Sequence, residues 1–137
     1  MAHLAQFRTL RAAFAVAAIA IAAPTAARAQ DATRTYTFAE VETKPSLASV
    51  ANFQRVVSEG YPEDLRRRHV GGIAEIAFVV DANGRVEPGS VEVVDATHPA
   101  FGEAAKLVLL QTGFKPGKVS GSPVRVKVSL PIVYRVQ

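Results

Sequence analysis

The sequence predicts an α+β domain in which a three-stranded antiparallel sheet carries two to three helices on one face. Three observations predict this class. Two apolar stretches are joined by an Asn-Gly turn, amphipathic helical stretches lie before and after them, and the chain ends on a long alternating strand. Each strand offers one apolar face, so a single layer of helices is enough to cover the sheet.

The first predicted helix covers residues 47–59, with Ser46 as its expected cap and Gly60 as its stop. Its apolar residues recur at helical spacing, which predicts one buried stripe. These residues are Leu47, Val50, Phe53 and Val57.

A second, short helix follows in "YPEDLRRRHVGG". Pro62 suits the first helical position, and Gly71 or Gly72 is the expected end. The arginines at 66–68 and His69 lie near the negative end of the helix dipole. A solvated helix face explains them, and a patch for an acidic partner is the alternative.

Residues 73–95 predict an antiparallel hairpin. One face of its first strand, 73–81, is wholly apolar and consists of Ala74, Ile76, Phe78 and Val80. The Asn-Gly turn that follows leaves Gly84 free to adopt a positive φ. The returning strand, 86–95, contains Pro88 and Gly89, which predict a bulge at a sheet edge.

A third helix is predicted over residues 97–113, opened by Pro99 and closed by Gly113. Its stripe comprises Phe101, Ala104, Ala105, Val108 and Thr112, with Leu109 beside it. Residues 114–123 read as a loop that leads into the terminal strand.

The chain ends on a strand whose even positions are apolar from Val124 to Val136. This strand is expected beside the first hairpin strand, so that it and the second hairpin strand form the two edges of the sheet. Charged residues and proline keep an open edge from aggregating, and this strand contains Arg125, Lys127, Arg135 and an internal Pro131. An open edge can also bind an extended peptide by adding a strand, and these residues leave both interpretations open.

Residues 1–29 have the pattern of a secretory signal. Arg8 and Arg11 precede an apolar run at 12–23, and small residues at 27 and 29 suit cleavage after Ala29. An uncleaved membrane anchor is the alternative, but a span needs about 20 apolar residues, more than this run supplies.

The remaining chain divides into a polar linker at 30–45, with a candidate short strand at 35–42, and a domain at 46–137. Without the arginines of the first segment, 13 basic residues stand against 12 acidic ones, so nucleic acid is not an expected partner. The sequence contains no cysteine. Export without disulfides fits a bacterial envelope compartment.

No constellation for catalysis, metal binding or cofactor binding is recognisable, so we expect a protein that is not an enzyme. His98 lies close to Asp95 and directly before the third predicted helix. A helix cap is favoured there over a catalytic dyad.

From Tyr61 onward the chain resembles the TonB C-terminal domain family, the periplasmic energy transducers of Gram-negative bacteria. The motifs that carry the resemblance occur in the family's order and spacing. They are "YPEDLRRRHVGG", "AEIAFVVDANGRV", "SVEVVDATHPAFGEAAKLVLL", "GFKPGKVSGSPV" and "VSLPIVY".

The resemblance implies that the terminal strand binds the TonB box, an extended segment of an outer-membrane TonB-dependent transporter, as an added strand. The residues implied in peptide binding are Arg125, Val126, Lys127, Val128, Ser129, Leu130 and Val133, together with Ser58 and Gly60. Family members also engage an inner-membrane motor of the ExbB/ExbD type. A cleaved signal and a short linker would leave this chain able to bind but not to pull. The alternative is a soluble envelope scaffold that forms a homodimer through the same strand.

Overall fold

The computed structural model describes residues 33–136, so the predicted signal lies outside the described residues. The elements are β1 (Thr35–Thr37), β2 (Ser46–Leu47), α1 (Val50–Glu59), α2 (Glu63–Arg67), β3 (Gly72–Val80), a 3-10 turn (Pro88–Ser90), β4 (Glu92–Ala96), α3 (Pro99–Leu110), β5 (Phe114–Lys115), β6 (Gly117–Val119) and β7 (Ser122–Tyr134).

The predicted three-stranded antiparallel sheet forms the centre of the fold. β3 is its middle strand, with β4 on one side and β7 on the other. The ladder between β3 and β7 is continuous and joins residues 72–80 to residues 126–134. The α+β class and the order of these three strands are therefore confirmed.

The core lies between the apolar face of this sheet and α3. The even-numbered side chains of β3 and β7 alternate into it as the sequence predicts. Phe101 of α3 is 0% exposed and stacks on the ring of Tyr134, with 4.7 Å between the ring centroids. A Cβ atom on Gly72 would lie 2.2 Å from Thr97 Oγ1 and 2.5 Å from Phe101, so only glycine fits there.

The start of the first helix differs from the prediction. Ser46 and Leu47 form β2 and pair with β5, where Leu47 lies opposite Phe114. The helix begins at Val50, and its cap is Ser49, whose Oγ accepts the N–H of Asn52 at 3.2 Å. Leu47 fits the helical stripe, but pairing with β5 takes it out of the helix.

The second helix also ends earlier than predicted. α2 stops at Arg67, and His69 adopts a left-handed conformation with φ of 53°. His69 therefore lies beyond the helix and not in its last turn. Gly72 already belongs to β3, so neither predicted glycine closes α2.

The return from β3 contains a 3-10 turn where a bulge was predicted. Gly84 has the expected positive φ, +80°. Ser90 Oγ then accepts the N–H of Val79 at 2.8 Å, which holds the 3-10 turn against β3. The register of β3 and β4 shifts instead between Glu75 and Ile76.

The predicted loop at 114–123 contains two short strands. β5 pairs with β2, and β6 turns back on β7 through Ser120 and Gly121, both with positive φ. The pairing of β6 with β7 involves residues 122–124.

The prediction that the terminal strand is a sheet edge along its whole length is wrong. β1, which falls inside the predicted short strand at 35–42, pairs in parallel with Arg125, Val126 and Lys127 of β7. β3 pairs with residues 126 and 127 as well, so β1 must lie on the opposite side of β7. The pairing was missed because β1 is only three residues long and lies far away in sequence.

Candidate functional site

The outer side of β7, away from β3, is unpaired over residues 128–134. Within residues 33–136, β1 and β6 pair only with residues 122–127 of β7. An unpaired stretch of this kind presents backbone donors and acceptors to solvent. We call it the open edge.

Pro131 determines which backbone groups the open edge offers. A proline nitrogen carries no hydrogen, so the pair of Glu75 and Pro131 must be a non-hydrogen-bonded pair of the antiparallel ladder. Hydrogen-bonded and non-hydrogen-bonded pairs alternate along such a ladder. Even-numbered residues of β7 therefore bond β3, and odd-numbered residues direct their N–H and C=O groups outward.

The open edge thus offers two N–H donors and three C=O acceptors. The donors belong to Ser129 and Val133, and the acceptors to Ser129, Pro131 and Val133. Proline also leaves a gap in the donors, which disfavours indiscriminate pairing with other strands. The edge is interrupted by Pro131, as the sequence predicts, but it is shorter than predicted because it begins after the residues covered by β1.

A groove of about 790 Å³ lies between the C-terminal part of the open edge and α1. One face of α1 lines it, with residues at helical spacing that include Val50, Phe53 and Val57. Val50 is 57% exposed, and Val133 on the opposite wall is 44% exposed. Exposed apolar residues that line a cleft are typical of a binding site.

Two polar side chains interrupt the apolar face of α1. Gln54 and Ser58 line the groove and are four residues apart, so they lie one above the other on the helix. Neither side chain hydrogen-bonds to another residue in the described part of the chain. Both remain available to a bound molecule.

Apart from two tyrosines, the ionisable groups that line the groove are all basic. They are Arg66, His69 and Arg135. Arg66 is paired with Glu63 on α2. His69 and Arg135 have no ion-pair partner among residues 33–136, so this end of the groove favours an acidic group.

Arg125, one of the residues implied in peptide binding, has partners within the domain. Its guanidinium donates to both carboxylate oxygens of Glu87, at 2.6 and 2.7 Å, and to the carbonyl of Thr33 at 2.8 Å. The hydrogen bond from Arg125 lowers the pKa of the Glu87 carboxyl. Arg125 therefore holds the start of β1 against β7.

The other residues implied in binding separate into three groups. The side chains of Val126, Val128 and Leu130 point into the core face, and their backbone N–H and C=O groups are directed to β3. Ser129 and Val133 contribute outward backbone groups, and Ser58 lines the groove. Lys127 is exposed, but its backbone lies opposite Thr37 of β1.

Gly60 lies outside the lining of the groove. A Cβ atom there would be 3.0 Å from Val108 Cγ2, so its small size serves the close packing of α1 on α3.

Apart from Ser58, the groove residues on α1 were not identified from the sequence. The helical spacing of Val50, Phe53 and Val57 was interpreted as a core stripe, whereas part of that stripe faces the groove. The high exposure of Val50 shows that this residue is not part of the core. Helical spacing alone does not distinguish a residue that faces the core from one that faces a groove. His69 was attributed to a helix end, but its left-handed backbone places it at the groove.

The pair of Asp95 and His98 does not form a dyad. His98 Nδ1 accepts the N–H of Ala100 at 3.1 Å and caps α3, as predicted. Asp95 accepts the N–H of Ala96 at 2.9 Å. Residues 33–136 contain no group of three His, Asp or Glu residues that could hold a metal ion, and none of their helices is long and apolar enough to cross a bilayer.

Tyr134, which contributes to the inner wall of the groove, leads to a pH-dependent prediction. Its hydroxyl is buried without a hydrogen-bond partner in the described chain, and burial raises the pKa of the phenol to about 12. The unfolded chain ionises near its ordinary pKa of 10.0, so the folded state loses stability as the pH rises from 10 towards 12.

We expect Tyr134→Phe to remove this loss. The free energy of unfolding of the wild type should fall relative to that of the variant above pH 10, and their difference should be constant below it. Denaturant unfolding of both proteins between pH 8 and pH 12 measures this difference. Parallel pH profiles over the whole range would contradict the burial of the phenol.

The family model of the Gram-negative bacterial TonB protein C-terminal matches residues 58–136, which is more than half of the chain. The chain belongs to this family. The TonB C-terminal family is one of non-enzymatic binding domains in energy transduction, located in the periplasm or the cell envelope, with outer-membrane transporters as partners. The match includes α2, the central sheet, α3 and the open edge of this TonB-type domain.

Two solved structures are similar to the TonB-type chain. An NMR solution structure of the Helicobacter pylori TonB C-terminal domain (residues 179–285) is 23% identical, with a TM-score of 0.40, over 64% of this chain and 80% of that chain. A second NMR structure of that domain (residues 194–285) is 22% identical, with a TM-score of 0.41, over 62% and 90%. No curated protein matches the sequence.

Proposed function

We propose that this domain binds an extended segment of an outer-membrane transporter, the TonB box, by adding it as a strand to the open edge. The observation that carries the proposal is the unpaired outer side of residues 128–134 beside an apolar groove. Strand addition derives its affinity from backbone hydrogen bonds and its specificity from side-chain pockets. The open edge provides the backbone groups for these hydrogen bonds, and the groove provides a pocket for side chains.

The magnitudes indicate a transient complex. The outward groups of Ser129, Pro131 and Val133 can form up to five backbone hydrogen bonds, each contributing about 1 kcal/mol. Burial of side chains against Val50 and Phe53 adds to this, and association costs subtract from it. The balance corresponds to a dissociation constant on the order of micromolar. The basic end of the groove favours a segment that carries an acidic residue.

The proposal concerns binding in the periplasm after export. A motor of the ExbB/ExbD type would act on this domain through an N-terminal segment that stays in the inner membrane. Residues 1–29 lie outside the described part of the chain, so the structure supports the binding step alone.

Titration of the ¹⁵N-labelled protein with synthetic peptides from the N-terminal segments of TonB-dependent transporters tests this proposal. We expect chemical-shift changes along residues 128–136 and along the groove face of α1. Changes confined to residues 61–70 would reject strand addition.

Self-association through the same edge is the second candidate, because the exposed Val133 and Val136 can also face a second copy. Self-association predicts a homodimer in sedimentation experiments, and added peptide should dissociate this homodimer.

A further inference from the structure

Given strand addition as proposed above, we infer that β1 is a fixed stop, which limits the added strand to residues 128–134 of β7 and so selects a short extended segment. β1 lies on the side of β7 that the segment would join, and its three residues lie opposite residues 125–127. β7 itself ends at Tyr134. A longer added strand would therefore have to displace β1.

Displacing β1 would gain no backbone hydrogen bonds. The N–H of Thr37 donates to Oε2 of Glu40 at 2.7 Å, so it points away from β7. Alternate residues of a strand direct their backbone groups to opposite sides, so Tyr36 directs its N–H and C=O groups to β7. There they meet the outward C=O of Arg125 and the outward N–H of Lys127. A peptide residue in the same place would only replace these two bonds.

Displacing β1 would also break contacts outside the ladder. Tyr36 is 8% exposed and belongs to the core. The guanidinium of Arg125 donates to the carbonyl of Thr33 at 2.8 Å, and the carboxylate of Glu40 accepts the hydroxyl of Thr37 at 2.8 Å. β1 is also covalently joined to the domain, so its effective concentration at this site is on the order of millimolar, above that of a micromolar peptide. We therefore expect β1 to stay paired when a segment binds.

The outer side of β1 does not lengthen the open edge either. Glu40 occupies both outward backbone groups of Thr37, because its carboxylate accepts the N–H and its own N–H donates to the C=O at 3.1 Å. A bound segment is thus paired over about seven residues, or about 23 Å, and has to leave the sheet beside residue 128. This geometry suits a short extended stretch within a flexible tail and disfavours the long edge strand of another folded sheet.

The probes are acetylated and amidated peptides of alternating threonine and valine, with lengths of five, seven, nine and eleven residues. An aspartate at one end directs that end towards Arg135, just beyond the end of β7, and the peptides grow at the other end. Two series, with the aspartate at the N-terminus or at the C-terminus, cover both strand directions. Calorimetry with the full-length wild type measures the affinities. We expect the tighter series to gain about three- to tenfold from five to seven residues, and no more than about twofold from seven to eleven.

The amide of Tyr36 reports whether β1 stays in place. Tyr36 lies opposite Val126, and its N–H is directed to β7. We expect this amide to remain protected from hydrogen exchange at saturation with the eleven-residue peptide of the tighter series. The backbone N–H of Lys127 is less informative, because a peptide that displaced β1 would also protect it.

Tyr36→Pro removes the N–H that β1 directs to β7 and should detach β1. We expect the eleven-residue peptide of the tighter series to bind this variant about three- to tenfold more tightly than the seven-residue peptide does. Thr35→Pro is the matched control, because the N–H of Thr35 points away from β7 as that of Thr37 does. This control should retain the wild-type dependence on length. The wild-type series and the exchange of the Tyr36 amide remain decisive if Tyr36→Pro does not fold.

The outcomes separate the stop from strand addition. Wild-type affinity that keeps rising beyond seven residues, loss of protection at the Tyr36 amide, or an unchanged plateau in folded Tyr36→Pro would each overturn the stop and leave strand addition in place. Failure of every peptide to bind, or binding without shift changes in residues 128–134, would overturn strand addition and the stop with it.

Discussion

Replacing Val133 with proline should weaken the binding of an extended peptide at least about tenfold and leave the fold intact. Val133 is an odd-numbered residue of β7, so its N–H points away from β3, as the nitrogen of Pro131 does. The substitution removes one of the two outward donors and places a ring where the incoming strand must lie. Peptide titration followed by calorimetry measures the loss, and an NMR spectrum verifies the fold.

Ile132→Pro is the matched control, one residue away. The N–H of Ile132 faces β3, and its side chain is buried, so this proline should cost about 2–4 kcal/mol of folding free energy. Normal peptide binding by Val133→Pro would show that the open edge is not the binding site. A stable Ile132→Pro variant would show that the assignment of inward and outward groups is wrong.

Phe101→Ala should lower the free energy of unfolding by about 3–5 kcal/mol. Phe101 is 0% exposed, stacks on Tyr134, and meets the ring of Tyr61 edge-on with 5.7 Å between centroids. Its removal leaves a cavity where α3 covers the sheet. Small domains are stable by only about 5–15 kcal/mol, so the expected loss is a large fraction of the total free energy of unfolding. Denaturant unfolding of the full chain measures the change.

Leu107→Ala is the control on the same helix. Leu107 is 62% exposed, so its truncation should change the stability by no more than about 0.5 kcal/mol. Phe101→Leu, which keeps most of the volume, should cost less than about 1.5 kcal/mol and remains measurable if the alanine variant does not fold. Equal losses for Phe101→Ala and Leu107→Ala would contradict the core described above.

The central fold could be predicted from the sequence because its signals are local. Alternation fixed the buried face of β3, the Asn-Gly turn placed Gly84, and Pro99 marked the start of α3. Short elements were missed where distant partners decide the structure. Leu47 fits a helical stripe, and only its pairing with Phe114 makes it part of a strand.

The site was predictable only in part for a related reason. Alternation shows which face of β7 is buried, but it does not show what pairs with each edge, so the cover that β1 gives to residues 125–127 could not be foreseen. Helical spacing likewise shows that α1 has an apolar face without showing whether the core covers it. The groove exists because Val50 and Phe53 face the open edge of the sheet.

The parallel pairing of β1 also has a mechanical consequence. β1 runs parallel to β7, so tension applied to Thr35 along this axis would shear the three paired positions of β1 together instead of peeling them apart singly. Arg125 adds a fourth attachment at the carbonyl of Thr33. Force applied from the N-terminal side would thus be transmitted directly to the backbone of β7 and not through the hydrophobic core. β7 is also the strand that carries the open edge.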